Sequence, residues 1–85
     1  MRSNTYEYSF VAICPNDGAR ITYALRIETH GDVVMTEDIE GACRYTEPAY
    51  HEDIADRLHL RFGGNQTLVA AHGNVQVTTR RSSAE

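Results

Sequence analysis

Lysine is absent from this 85-residue chain, and all eight of its basic residues are arginine. The absence excludes Schiff-base catalysis by lysine and a phosphate-binding P-loop, because both depend on a lysine amine. Twelve aspartates and glutamates outnumber the arginines and give a formal net charge of −4. An acidic chain without a basic stripe is a poor ligand for nucleic acid, so we expect no nucleic-acid partner.

Long apolar segments are also absent. No run approaches the roughly 20 apolar residues of a membrane span, and none resembles the apolar core of a signal peptide. We therefore expect no membrane partner and a cytoplasmic location. The length allows one small domain, residues 1–85, with a polar tail over 81–85 that is expected to fray.

Motifs for metal binding and disulfide chemistry are missing as well. Cys14 and Cys43 are the only cysteines, and no CxxC motif brings two thiols together. None of the four histidines has the HExxH spacing of a zinc protease. We expect no metal, and no disulfide in a reducing cytosol, although two cysteines permit one.

Two amphipathic strands begin the chain. Residues 5–13 are rich in aromatic and β-branched side chains, and the turn-forming sequence Pro15-Asn-Asp-Gly18 follows them. In the next segment every second residue is apolar: Ile21, Tyr23, Leu25 and Ile27. The two segments predict a β-hairpin with one buried face.

Two helices are predicted in the middle of the chain. Thr36 suits the N-cap of a short helix over about 37–45, because acidic residues fill the first turn and favour the positive end of the helix dipole. The second helix is predicted to start near Pro48 and to end at the glycines 63–64. Its apolar residues recur every four positions, as one helix face requires: Ile54, Leu58 and Phe62.

A second hairpin ends the chain. Residues 66–72 and 74–80 alternate in polarity on either side of Gly73-Asn74, which supplies turn residues. The order β-β-α-α-β-β predicts an α+β domain in which a four-stranded antiparallel sheet carries two helices on one face. Because the helices cover only one side of the sheet, the other side is either solvated or lines a larger assembly.

Cys14 is a candidate nucleophile because it follows a strand and precedes a turn, where a rigid scaffold presents reactive groups. Asp17, three residues later, is placed to orient a catalytic acid or base. The simpler alternative is a cysteine that packs as a small apolar residue at the strand end. The local sequence leaves both interpretations open.

His51 and Glu52 open the second predicted helix and can present an imidazole and a carboxylate to one ligand. A carboxylate can accept two N–H donors from the edge of a guanine-type purine or pterin ring. The alternative is that Glu52 favours the helix dipole while His51 is solvated. Glu37 belongs to an acidic cluster at the first helix and is either substrate-binding or solvated, whereas His72 is expected to be structural.

Three features together resemble one protein family: the β-β-α-α-β-β order, Cys14-Pro15 after the first strand, and the segment 50–53, Tyr-His-Glu-Asp, at the second helix. Over about residues 8–80 the chain is similar to the tunnelling-fold QueF and QueF-like proteins, which are cyano-deazaguanine (preQ0) nitrile reductases and related amidinotransferases. That resemblance implies a homo-oligomer with its site between subunits.

The resemblance also implies residue roles. Cys14 would attack the nitrile carbon to form a thioimide, with Asp17 replacing an acid that the family places at the start of its second strand. Glu52 would anchor the deazaguanine edge, with His51 close to the reacting group. The nitrile reductases contact NADPH through a lysine-containing segment, and the corresponding stretch 35–38 lacks lysine. We therefore expect no cofactor, and transfer of ammonia or water rather than hydride.

Two functions follow from the sequence. One is a small oligomeric protein that binds a purine-, deazapurine- or pterin-like heterocycle and forms a thioimide on Cys14. The alternative is a non-catalytic acidic module that docks on, or inhibits, a larger protein with a basic surface.

Overall fold

The structure, a computed structural model, describes residues 2–83. It contains six elements in the predicted order: β1 (Ser3–Ile13), β2 (Arg20–His30), α1 (Thr36–Ala42), α2 (His51–Phe62), β3 (Asn65–His72) and β4 (Val75–Arg81). The strands form one antiparallel sheet in the order β1-β2-β3-β4. The predicted α+β class and the β-β-α-α-β-β order are both confirmed.

The core lies between the sheet and the helices. The register aligns Phe10 with Tyr23 and Leu25 with Leu68, so apolar side chains of neighbouring strands lie on the same face. Helix α2 contributes Ile54 and, one turn later, Leu58, and these side chains complete the apolar layer. The largest side chains that are almost wholly inaccessible to solvent are Tyr23, Ile27, Ile54, Leu58 and Leu68.

Strand β3 holds α2 at both of its ends. At the helix N-terminus, the ring of His51 contacts the carbonyl of Leu68, with Nε2 and O 3.2 Å apart. At the C-terminus, the side-chain amide of Gln66 donates to the carbonyls of Leu58 and Gly63 at 3.0 and 2.8 Å. The orientation of α2 relative to the sheet therefore depends on polar contacts as well as on apolar packing.

The helix boundaries differ from the sequence prediction. Helix α1 starts at Thr36 and ends at Ala42, and the residue before it, Met35, caps it without a side-chain hydrogen bond. The prediction of Thr36 as N-cap is wrong, since its hydroxyl bonds the Glu37 carboxylate instead. Helix α2 begins at His51 rather than near Pro48, because the backbone at position 50 is still extended.

Strand β4 extends to the first residue of the predicted tail. Arg81, which the sequence assigns to a frayed tail, is the last residue of β4 and binds two carboxylates on α2. The hydroxyl of Ser83 lies 3.0 Å from Nε2 of His59. The remainder of the predicted tail, residues 84–85, lies outside the described residues.

The second face of the sheet is not covered by either helix, as the sequence predicts. Its side chains include an ion-pair cluster in which Arg26 contacts Glu7 at 3.5 Å and Glu28 at 3.0 Å. Small and neutral residues such as Ser9 and Ala24 lie beside this cluster. Among residues 2–83, no helix has the length and apolar character needed to cross a membrane.

Candidate functional site

Residues from β1, β3 and α2 meet where the strands end. Antiparallel pairing of Ile13 with Arg20 and of Tyr23 with Ala70 puts the C-terminal ends of β1 and β3 at the same end of the sheet. The backbone N–H of Ala49 donates to the Ile13 carbonyl at 3.1 Å and brings the start of α2 there. A pocket of about 180 Å³ results, here named the Cys14 pocket. Its lining includes Cys14, Tyr23, Tyr50, His51, Glu52 and His72.

The turn after β1 brings Cys14 and Asp17 together. Two backbone hydrogen bonds close the turn, from Cys14 N–H to the Ala19 carbonyl at 2.8 Å and from Gly18 N–H to the Cys14 carbonyl at 2.9 Å. Gly18 adopts a φ of +74°, which glycine tolerates without strain. As a result, the half-buried thiol of Cys14 lies within hydrogen-bonding reach of the Asp17 carboxylate.

Asp17 is held in its ionised form. Its Oδ1 accepts the backbone N–H of Ala19 at 3.0 Å. This hydrogen bond is the main reason that the pKa of Asp17 is lowered, and the side-chain hydrogen bond with Cys14 lowers it further. The ionised carboxylate therefore accepts a hydrogen bond from the thiol, but its lowered pKa makes it a weak base for the proton that a cysteine must lose before it acts as a nucleophile.

His51 is buried, and both of its ring nitrogens have partners. Nε2 lies 3.2 Å from the Leu68 carbonyl oxygen, and Nδ1 lies 3.0 Å from Nε2 of His72. Burial is the main cause that lowers the pKa of His51, which favours the neutral ring. The ring also meets Tyr23 edge to face at a centroid distance of 5.2 Å.

His72 joins the pocket from strand β3. The sequence predicts a structural role for it, and the structure places it in the lining of the Cys14 pocket, hydrogen-bonded to His51. It is also among the groups that lower the pKa of Asp17. A signal was present, since His72 follows Leu68 and Ala70 at alternate positions, and both of these face the helices.

Glu52 lines the pocket but is already engaged by a cation. Arg81 Nη2 donates to Glu52 Oε1 at 2.8 Å, and Arg81 Nε donates to Asp56 Oδ1 at 2.9 Å. These bonds raise the pKa of Arg81, with the contribution of Glu52 the largest. The Glu52 side chain remains 65% exposed, so its carboxylate is still accessible from the pocket.

Glu37 is not brought to this pocket within one chain. It lies at the start of α1. The segment just before this helix is held to β1 near Tyr6, because the Val34 N–H donates to the Tyr6 hydroxyl at 3.0 Å. Tyr6 and Cys14 are separated by eight positions of extended chain, or about 26 Å at the usual rise of a strand. Glu37 therefore lies far from the end of the sheet that brings together the other predicted site residues, Cys14, Asp17, His51 and Glu52.

The ligating side chains near the pocket do not form a metal-binding cluster in the described residues. Within residues 2–83, no three side chains of histidine, cysteine, aspartate or glutamate are grouped so that they could hold a metal ion. The imidazoles of His51 and His72 bond to each other and thus have a partner without a metal.

Comparisons with known proteins identify the fold. No protein-family model and no curated protein sequence matches the chain. Among solved structures, the chain is similar to the crystal structure of the archaeosine synthase QueF-Like in the apo form, with a TM-score of 0.76 and 14% sequence identity. The match covers 98% of this chain and 95% of the other. The chain therefore has the QueF-like tunnelling fold that its sequence predicted.

Proposed function

We propose that this protein binds a purine-, deazapurine- or pterin-like heterocycle in the Cys14 pocket and forms a thioimide between Cys14 and a nitrile on that ring. The observation that carries the proposal is the convergence of a thiol and two imidazoles in one pocket, with the ionised carboxylate of Asp17 hydrogen-bonded to that thiol from the adjoining turn. These are the groups that nucleophilic addition with proton transfer requires. The QueF-like fold supports the same assignment.

The addition step needs no oxidant or reductant. Asp17 accepts the thiol proton, the sulfur of Cys14 bonds to the nitrile carbon, and one π bond of the C≡N group breaks as its nitrogen takes up a proton. Ammonia can then displace the thiol and leave an amidine, or water can displace it and leave an amide. We propose this transfer chemistry rather than hydride transfer, and no cofactor is part of it.

Recognition of the ring is assigned to Glu52 and to the aromatic side chains of the pocket. A carboxylate can accept two N–H groups from the edge of a guanine-type ring, and Tyr50, which is 50% exposed, offers a face for stacking. The pocket of about 180 Å³ is smaller than the about 300–1,000 Å³ of sites for drug-sized ligands. We propose that a second copy of the chain completes it in a homo-oligomer.

The first experiment is incubation with preQ0 followed by intact-mass spectrometry. Because addition loses no atoms, the expected product is heavier by the full mass of the nitrile, and peptide mapping should place it on Cys14. Cys43 provides a matched control, since the residue is 3% exposed and burial raises the pKa of its thiol to about 11. Cys14→Ala should abolish the adduct and Cys43→Ala should retain it; an adduct that survives Cys14→Ala would contradict the proposal.

The second experiment tests ring recognition with neighbouring acids on α2. Glu52→Gln should weaken binding of guanine-type ligands by at least about tenfold, because a carboxylate that accepts two N–H groups becomes an amide with one acceptor. Asp53→Asn, in the same helical turn, should leave the affinity unchanged because Asp53 does not line the pocket. Equal affinities of the two variants, measured by isothermal titration calorimetry, would show that Glu52 is only a helix-start acid.

The alternative of an acidic interaction module has one observation in its favour. Residues 36–62, which form the helical layer, contain seven acids and three arginines, a net charge of −4 that equals that of the whole chain. Such a surface attracts a basic partner, and the attraction falls with ionic strength. A monomer in native mass spectrometry whose Cys14 never reacts with preQ0 would favour this function over the catalytic one.

A further inference from the structure

The hydrogen bonds of His51 determine where its proton resides. A carbonyl oxygen only accepts hydrogen bonds, so the nitrogen beside the Leu68 carbonyl, Nε2, carries the hydrogen of the neutral ring. Nδ1 is then an acceptor, and Nε2 of His72 must donate to it across 3.0 Å. Neither nitrogen of His51 is left to exchange a proton with a ligand unless one of these bonds breaks.

His72 has the opposite arrangement. Its Nε2–H is used by His51, and in the neutral ring this leaves Nδ1 without a hydrogen. Over residues 2–83, no protein hydrogen bond involves Nδ1 of His72. The ring is only partly buried, lines the Cys14 pocket and lies near enough to Asp17 for their charges to interact. His72 is thus the imidazole with a nitrogen available to the pocket.

We propose that His72 is the catalytic acid–base residue of the Cys14 pocket and that His51, which the family resemblance places close to the reacting group, is the positioning residue that orients it. The inference rests on the proposed thioimide chemistry. Nδ1 of His72 receives the thiol proton of Cys14, directly or through Asp17, and passes it to the nitrile nitrogen as the S–C bond forms. The proton lost by sulfur is the one gained by nitrogen, so the step balances without another reagent.

Asp17, His51 and Tyr23 surround His72. The ionised carboxylate of Asp17, in the turn after β1, interacts electrostatically with it, and the neutral ring of His51, on α2, accepts its Nε2–H. The rings of Tyr23 and His72 meet edge to face at a centroid distance of 6.2 Å. Glu52 and Arg81 act on His51 with opposite signs. The hydrogen bond from Nε2–H to His51 therefore orients the His72 ring and leaves its Nδ1 available.

Two glutamine variants separate the roles of the two histidines. In His51→Gln the amide can still donate to the Leu68 carbonyl and accept from His72, so the rate of adduct formation with preQ0 should fall by less than about tenfold. In His72→Gln no imidazole passes the proton to the nitrile nitrogen and only the weak base Asp17 remains, so the rate should fall by about 10²–10⁴-fold. The pH–rate profile should also lose its imidazole-dependent limb in His72→Gln and keep it in His51→Gln.

A measurement on the unliganded wild-type protein tests the same arrangement without a substrate. Ring ¹⁵N chemical shifts should identify the Nε2–H tautomer in both histidines, with Nδ1 of His72 carrying no hydrogen. An Nδ1–H tautomer in either ring, or a slower reaction of His51→Gln than of His72→Gln, would overturn the inference. If the wild-type protein forms no adduct, the proposed function fails, and the ¹⁵N result alone decides whether His72 is the accessible base.

Discussion

Gln66 offers a quantitative test of how α2 is attached to the sheet. Its side chain is 4% exposed, and its amide donates to the carbonyls of Leu58 and Gly63. Gln66→Met keeps the length of the side chain but removes both donors. A hydrogen bond contributes about 0.5–1.5 kcal/mol, so two of them predict a loss of about 1–3 kcal/mol in the free energy of unfolding.

Gln66→Glu changes the charge at the same position and should behave differently with pH. At pH 7 a buried carboxylate would face two carbonyl oxygens, so this variant should be less stable than Gln66→Met. Burial and repulsion would raise the pKa of the introduced carboxyl in the folded state above its unfolded value of about 4.3. Its stability relative to Gln66→Met should therefore rise as the pH falls through that raised pKa, because a protonated carboxyl can donate to one carbonyl.

The assay is urea denaturation at pH 7 and pH 5, at one protein concentration because association would stabilise the folded state. In thermal unfolding, each 1 kcal/mol should appear as a shift of about 4–8 °C for a domain of this size. If both variants lose less than about 0.5 kcal/mol and show no difference in pH dependence, the amide of Gln66 does not hold α2 to β3. That result would refute the reasoning, since it assigns the loss to two buried hydrogen bonds.

Two further predictions concern stability. Tyr6→Phe should reduce the free energy of unfolding by about 0.5–1.5 kcal/mol in urea titrations, because its hydroxyl accepts the Val34 N–H in a partly buried setting, whereas Tyr50→Phe should change it less because that hydroxyl is exposed. Because the pKa of His51 is lowered in the folded state, the unfolded chain takes up this proton at a higher pH than the folded chain does. The contribution of His51 to the free energy of unfolding should therefore be constant above about pH 6.5 and fall below it, with a slope of at most about 1.4 kcal/mol per pH unit. His51→Gln should remove this component, and an unchanged slope would assign it to other groups.

The element order was predictable because the signals that specify it are local. Alternation of apolar residues in β2 identifies its buried face, and Gly63 ends α2 because its φ of +65° departs from helical backbone. The limits of α1 were not predictable from capping preferences. Met35 precedes the helix without a side-chain bond, and Thr36, which favours the cap position, is already helical.

Within the site, predictability depended on distance along the chain. Cys14 and Asp17 are three residues apart, and His51 and Glu52 are adjacent, so short motifs were enough to single them out. The partner of His51 is 21 residues away on β3, and Arg81 is 29 residues from Glu52 on β4. Such contacts depend on strand register and on where the helix lies across the sheet, which local patterns do not encode.

Strand β3 connects the stability of the fold with the geometry of the site. Gln66, Leu68 and His72 occupy alternate positions, so one face of the strand provides the amide that holds the end of α2, the carbonyl beside His51 and the second imidazole. Every buried side-chain nitrogen and oxygen in residues 2–83 has a hydrogen-bond partner. A shift of β3 by one residue would turn Gln66 and His72 to the uncovered face and leave buried polar groups unpaired. The polar contacts that stabilise this register are therefore also those that hold the two imidazoles in the Cys14 pocket.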